Sequence, residues 1–205
     1  MKIKKLLYTV FLVLFVFNAI AQTAKLSTAD AKYGDYAYID AIATYEKVAL
    51  KGYQDEKMFQ KLANAYYFNG ESTTAVKWYD ALFAMNAQQE PEYYYRYAQT
   101  LKSTGDYAKA DQMLAIFNKR AATDKRGLLF EKNKNYLETI KSNSGRFTIA
   151  DAGINSSQTD YGSAFFGTEL VFASARDTGG VAKSKFKWTN KAFTNLYSVA
   201  LNEDG

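Results

Sequence analysis

Candidate chemistry in this chain is bounded by two absences. It contains no His and no Cys, which removes thiol nucleophiles, disulfides, Cys or His zinc sites and every triad with an imidazole base. Carboxylates, ammonium groups and phenols remain. Asp151, Asp160 and Asp177 could act as paired acids or hold a cation, but each lies close to Gly, Asn or Ser, the setting of a turn aspartate. No D-x-D-x-D-G loop, Gly-rich phosphate loop or G-x-S-x-G elbow is present. Lys183, Lys185, Lys187 and Lys191 surround Trp188. That combination could meet an acidic glycan, a lipid head group or nucleic acid, but it reads more simply as a solvated loop. Tyr93, Tyr94, Tyr95 and Tyr97 are the densest aromatic group. Successive helical residues point about 100° apart, so these rings cannot form one patch: some must pack inward while one or two reach a surface. The residues favour binding over catalysis, and no cofactor or metal is implied.

The elements that would position these residues are announced by a repeat. Ala63, Gly70 and Ala75 recur as Ala98, Gly105 and Ala110, each 35 places later. A period of 34–35 residues marks a helix–turn–helix repeat. Such a unit cannot bury its own apolar face and must stack on a neighbour, leaving a hollow that partners can occupy. The second repeat is expected over about 53–87, with helices at 56–68 and 72–85, and the third over about 88–121, with Pro91 opening its first helix. Residues 27–51 form a degenerate first repeat, punctuated at Gly34-Asp35 and Gly52, in which Ala41-x3-Tyr45 anticipates Ala75-x3-Tyr79. Residues 124–142 read as one capping helix with Leu128, Leu129, Tyr136, Leu137 and Ile140 on its buried side. The helical part is therefore expected over 27–142.

The first 21 residues have the form of a secretory signal peptide: Lys2, Lys4 and Lys5, an apolar run from Leu6 to Phe17, and Ala19-Ile20-Ala21 before Gln22. The run is shorter than a membrane span needs, and no Cys follows it to carry a lipid. Cleavage after Ala21, a linker over 22–26 and export are expected. Without the three leader lysines, the 26 basic and 21 acidic residues leave a net charge of about +2 rather than +5. That gives no general attraction to nucleic acid.

From Arg146 the pattern becomes short β-type runs between Gly, Asn and Asp. Phe147-Thr148-Ile149 reads as extended, and strands are expected at 161–166, 169–174 and 193–201, with Gly167-Thr168 as a turn. The long segment Val181–Ala192 reads as loop.

The repeat residues resemble the tetratricopeptide repeat. Leu62-Ala63, Tyr66, Gly70, Ala75 and Tyr79 fall on its signature places in the second repeat, and Ala98, Leu101, Gly105, Ala110 and Leu114 in the third. Phe59 stands for the usual Trp and Ala87 for the usual Pro. The resemblance implies a groove lined by the first helix of each pair, here Lys57, Gln60, Lys61, Asn64, Tyr67 and Phe68, joined by Tyr95, Gln99 and Lys102. These could hold an extended peptide and its carboxylates, or form a solvated helix face; the family's carboxylate-clamp pattern is not reproduced. Phe172, Ser174, Arg176 and Asn195-Leu196-Tyr197 resemble a TolB-like β-propeller blade, though the family's Pro-Asp-Gly turn is missing. One blade cannot close a ring of typically four to eight, so the chain is expected to be the front of a longer protein, with the propeller beginning at 146 and truncated at 205.

In order, leader, tetratricopeptide repeats and TolB-like blade resemble the front of multidomain OmpA-family proteins of Bacteroidetes-type bacteria. The stretches 62–70 and 161–180 are most similar. That resemblance implies a multidomain α-then-β architecture: a helical-repeat solenoid followed by the first blade of an incomplete propeller. It also implies a non-enzymatic scaffold at the periplasm and outer membrane, with protein partners in the groove. Peptidoglycan would be gripped by a C-terminal domain not present here, in some members serving type IX secretion or gliding. Two other readings stay open: the propeller-containing front of a secreted hydrolase, and a nutrient-uptake helper.

Overall fold

A computed structural model describes residues 24–176 and 185–201. Two compact units divide between Lys134 and Asn135.

The first unit is a tetratricopeptide-like stack of helical hairpins. Helix α1 runs through residues 24–34, followed by α2 (Tyr38–Ala49), α3 (Glu56–Phe68), α4 (Ser72–Met85), α5 (Pro91–Ser103), α6 (Tyr107–Arg120) and α7 (Lys125–Lys132). Helix α3 packs on α4, and α5 on α6. The hairpins meet through α2–α3, α4–α5 and α3–α5, and α7 rests on α6. The stretch read as a degenerate first repeat is thus a full hairpin.

The periodic glycines close the helices. Gly70 takes φ +73 and Gly105 φ +89, a conformation that costs L-residues steric strain. At each, the glycine N–H donates to the carbonyl three residues back and the next N–H to that five back: Gly70 to Tyr67 at 3.1 Å and Glu71 to Tyr66 at 3.1 Å, Gly105 to Lys102 at 3.2 Å and Asp106 to Leu101 at 2.9 Å. This is the Schellman closure. The first hairpin uses the same closure, Tyr36 to Tyr33 at 3.1 Å and Ala37 to Lys32 at 2.8 Å, but there Tyr36, not Gly34, adopts the left-handed turn at φ 58.

The periodic alanines mark the close approaches. Ala41, Ala63, Ala75, Ala98 and Ala110 are fully buried. Aromatic rings fill the space around them: Phe59 lies 5.5 Å from Trp78, and Tyr97 stacks at 5.4 Å on Tyr79 and 5.2 Å on Phe83. In the tyrosine group, Tyr94 and Tyr97 are buried, while Tyr93 and Tyr95 are half-buried.

One expected helix is broken. Residues 124–142 form α7 and a separate α8 (Tyr136–Ser142) with a turn between. The Asn133 amide donates to the Leu129 carbonyl at 2.9 Å, a side-chain bond that competes with the helical ladder. The side expected to be buried is largely open, with Leu129 62% and Ile140 61% exposed.

In the second unit, α8 precedes an antiparallel sheet of order β1-β2-β5: β1 (Asp160–Phe166), β2 (Glu169–Ser174) and β5 (Asn195–Ala200). A two-residue turn joins β1 and β2, with Gly167 at φ +60 in the first turn position, where a mirror-type hairpin turn needs glycine. A register shift between Tyr161 and Ala164 coincides with Gly162 at φ +67, the mark of a bulge. Within the expected loop, β3 (Lys185–Phe186) and β4 (Lys191–Ala192) make a short hairpin. The segment Phe147–Ile149 is not a strand: nothing pairs with it among the described residues, and both large side chains are exposed. No closed propeller is seen among the described residues; the sheet has three strands.

Candidate functional site

Equivalent positions on α1, α3, α5 and α7 form one face of the helical unit. A shift of 35 residues takes Lys57 to Glu92, Gln60 to Tyr95, Lys61 to Arg96, Asn64 to Gln99 and Tyr67 to Lys102. Helical spacing places 57, 61 and 64 on α3, and 92, 96 and 99 on α5, along one line of each helix. The site was thus partly visible in the sequence, while Glu92, Arg96 and Arg126 escaped. Extending the same shift, and one of 34 from Glu92, would have found them.

Polar side chains join neighbouring helices across this face. Lys61 pairs with Asp30 of α1 at 2.8 Å. The Gln60 amide donates to Gln89 at 2.8 Å, and Gln89 in turn donates to Glu56 at 2.9 Å. Arg96 bonds Glu92 at 3.1 Å and lies 4.9 Å from the Phe68 ring of α3. Arg126 of α7 reaches Glu92 at 2.9 Å and covers Tyr95 at 4.2 Å, with Phe117 also against that tyrosine at 5.3 Å. The Lys102 ammonium lies 5.7 Å from the Phe130 ring, and desolvation holds its pKa below the ordinary lysine value.

The floor is phenolic. Asn64 is buried and accepts the Tyr79 hydroxyl at 2.8 Å; the hydroxyls of Tyr33 and Tyr93 lie beside the same amide. Burial pushes the Tyr33 phenol up to about 12 and raises those of Tyr67, Tyr79 and Tyr93, so all stay neutral donors through the ordinary pH range. Lys57 is exposed; Gln60, Lys61, Tyr67, Phe68, Tyr95, Gln99 and Lys102 are half-buried. Of the residues the sequence singled out, Lys61 is therefore engaged internally and Asn64 is part of the floor. A separate cavity of about 470 Å³ is lined by Lys25, Thr44, Lys47, Val48, Leu50 and Lys51, none of them on this line.

The other candidates resolve into structure. Asp151 accepts Gly153 N–H at 2.8 Å, as a turn aspartate does. Asp160 instead opens β1, because its carboxylate is the acceptor for a cluster around Arg176. It takes the Ser156 N–H at 2.6 Å and the Arg176 guanidinium at 3.1 Å. Hydrogen bonds from the Ser174 hydroxyl first and the Ser156 backbone next hold it well below the usual carboxylate range. The guanidinium also donates to Ser174 Oγ at 2.8 Å and Ile154 O at 2.6 Å, and lies 5.0 and 5.1 Å from the Phe172 and Tyr197 rings. Phe172, Ser174, Arg176 and Tyr197 thus act together as a structural knot. Lys185, Phe186, Trp188 and Lys191 belong to the β3–β4 hairpin, with Phe186 stacked 6.4 Å from Trp188. Asp177 and Lys183 lie outside the described residues, as does the expected leader. Among the described residues no cluster of three acidic groups could hold a metal, and no helix is long and apolar enough to cross a membrane.

No family model and no curated protein matches this chain. Solved structures do. SycD, the type III secretion translocator chaperone of Yersinia enterocolitica, matches at 22% identity over 60% of this chain and 94% of its own, with a TM-score of 0.42. The same chaperone in complex with a peptide of the translocator YopD gives 21%, 58%, 92% and 0.43. PcrH in complex with the chaperone-binding region of PopB gives 15%, 57%, 94% and 0.43. A likeness of that extent fixes neither a partner nor a role.

Proposed function

We propose that the helical unit is a non-enzymatic docking scaffold that lays an extended segment of another protein along the face shared by α1, α3, α5 and α7. The register carries this reading: a cation and an amide recur at equivalent places on α3 and α5, Lys61 with Arg96 and Asn64 with Gln99, and a phenol on α1 and α3, Tyr33 with Tyr67. Such an array matches the alternating groups of an extended chain. Photo-crosslinking in intact cells tests it. A crosslinker replacing Lys57 or Tyr67 should give one discrete protein adduct, and a crosslinker at the exposed Lys77 on α4 should give none. Equal labelling from both faces would refute the reading.

The setting proposed for this scaffold is the cell envelope. The basic start, short apolar run and small-x-small site support export with cleavage after Ala21, so intact-mass measurement should find a chain beginning at Gln22. The finer identity, an OmpA-family scaffold joining an envelope complex of the type IX secretion or gliding kind to peptidoglycan through a further C-terminal domain, is supported by the sequence resemblance alone. The propeller reading has one structural support. Adjacent Phe165 and Phe166 must point to opposite sides of β1, yet they are 76% and 75% exposed. A sheet apolar on both faces is what packing between two neighbours requires.

A further inference from the structure

The floor of the docking face follows a rule that the third repeat breaks. Asp30, Asn64 and Gln99 share one register on α1, α3 and α5, and Tyr45, Tyr79 and Leu114 share another on α2, α4 and α6. In the first hairpin the Tyr45 hydroxyl donates to Asp30, and in the second the Tyr79 hydroxyl donates to Asn64. Each phenol passes through the hairpin and occupies the polar group on its far side. In the third hairpin Leu114 has nothing to donate. The Gln99 side-chain amide is half-buried and makes no hydrogen bond among the described residues.

We infer that the partner's main chain is read at Gln99, whose amide pairs with the N–H and C=O of an extended polypeptide, and that Leu114 makes this position the specificity-determining one. This deepens the docking reading above and rests on it. A primary amide offers both a donor and an acceptor, matching the two groups a peptide presents on one edge. The neighbouring side chains favour a polypeptide over a glycan. Sugar rings need an open aromatic face, and Tyr95, one turn from Gln99, has its ring against Arg126 and Phe117. Asp30 and Asn64 already have phenolic donors and are left to shape the face.

The test uses a displayed library of random dodecapeptides selected on the purified full chain, followed by affinity measurement for the most enriched sequences. Gln99→Leu, which keeps size and helix propensity, should weaken binding at least tenfold with an unchanged melting temperature. Leu114→Tyr, which restores the phenol present in the other two hairpins, should occupy Gln99 internally and weaken binding to a similar degree. Lys77→Ala, at an exposed position on α4 away from this face, should leave affinity within about twofold. Enriched peptides whose affinity moves less than twofold in both Gln99→Leu and Leu114→Tyr would overturn this inference while leaving the docking reading intact. Failure to enrich any peptide would overturn the docking reading itself. Gln99-dependent binding of a chito-oligosaccharide in place of peptide would overturn the polypeptide assignment.

Discussion

The two units place their aromatic side chains in opposite ways. In the helical unit rings interlock across the hairpins, and buried phenols have partners: Tyr79 on Asn64, Tyr97 on Asp80, Tyr94 on the Ala87 carbonyl. Among the described residues of the sheet unit Phe172 is the large apolar side chain that is buried, while Phe165, Phe166 and Leu196 lie at the surface. The helical unit is held by apolar contact with polar pins. The sheet is held by a polar knot at Arg176 with little apolar cover. Burial and hydrogen bonding thus exchange the leading role between the two, and each should fail under different stress.

The sharpest way to separate them is to remove one ring from each. Tyr97→Ala should destabilise the helical unit by about 3–5 kcal/mol, and Phe172→Ala should abolish protection of the sheet, with hydrogen exchange of the other unit unchanged in each case. A single joint transition would contradict the division. Next comes pH. Tyr33 and Tyr97 are held at about 12, chiefly by burial and for Tyr97 also by its bond to Asp80, against an ordinary 10. Their contribution is complete below pH 10 and is lost as pH rises from 10 to about 12. Asp160 is depressed, so its contribution is present above the ordinary carboxylate range, near 4, and is lost as pH falls below it. Peptides of the helical unit should therefore lose exchange protection first in alkali, and those of the sheet first in acid; Asp160→Asn should remove the acid-sensitive part. A smaller effect is expected at Gly127, where an added Cβ would stand 2.6 Å from Asn118 Oδ1 and 3.0 Å from its Cα. Gly127→Ala should cost about 1–3 kcal/mol and expose the α6–α7 connection to trypsin. Smallest is Tyr36→Gly, which relieves the left-handed strain of about 1–2 kcal/mol but gives up chain stiffness and a ring contact with Tyr38 at 6.1 Å. A net rise in stability of about 0.5–1 kcal/mol is expected by urea titration.

Much of this contrast was legible in the residues because certain backbone positions admit few side chains. Gly70 and Gly105 sit where φ is positive, and Ala63, Ala75, Ala98 and Ala110 where helices cross, so the period had to appear as those two residue types. The β1–β2 hairpin was legible because Gly167 serves its turn. The α7–α8 break was missed because Asn133 acts through side-chain competition with the helical ladder, which leaves the apolar spacing of 128–140 undisturbed. The candidate face was only half legible. Repeat position identified Lys57, Gln60 and Lys61, but whether a polar group is available or already bonded depends on the helix behind it. Gln99 and Asn64 look alike in the sequence, and only Leu114 against Tyr79 distinguishes them.

Contact is more extensive inside the α3–α4 and α5–α6 hairpins than between them, and a phenol bolts the first two hairpins through their own middle. Under tension applied at its ends, such a stack should give way by whole hairpins rather than by single helices. Each rupture would release a period of 34–35 residues, or about 110 Å of extended chain, so the force–extension trace should show evenly spaced teeth.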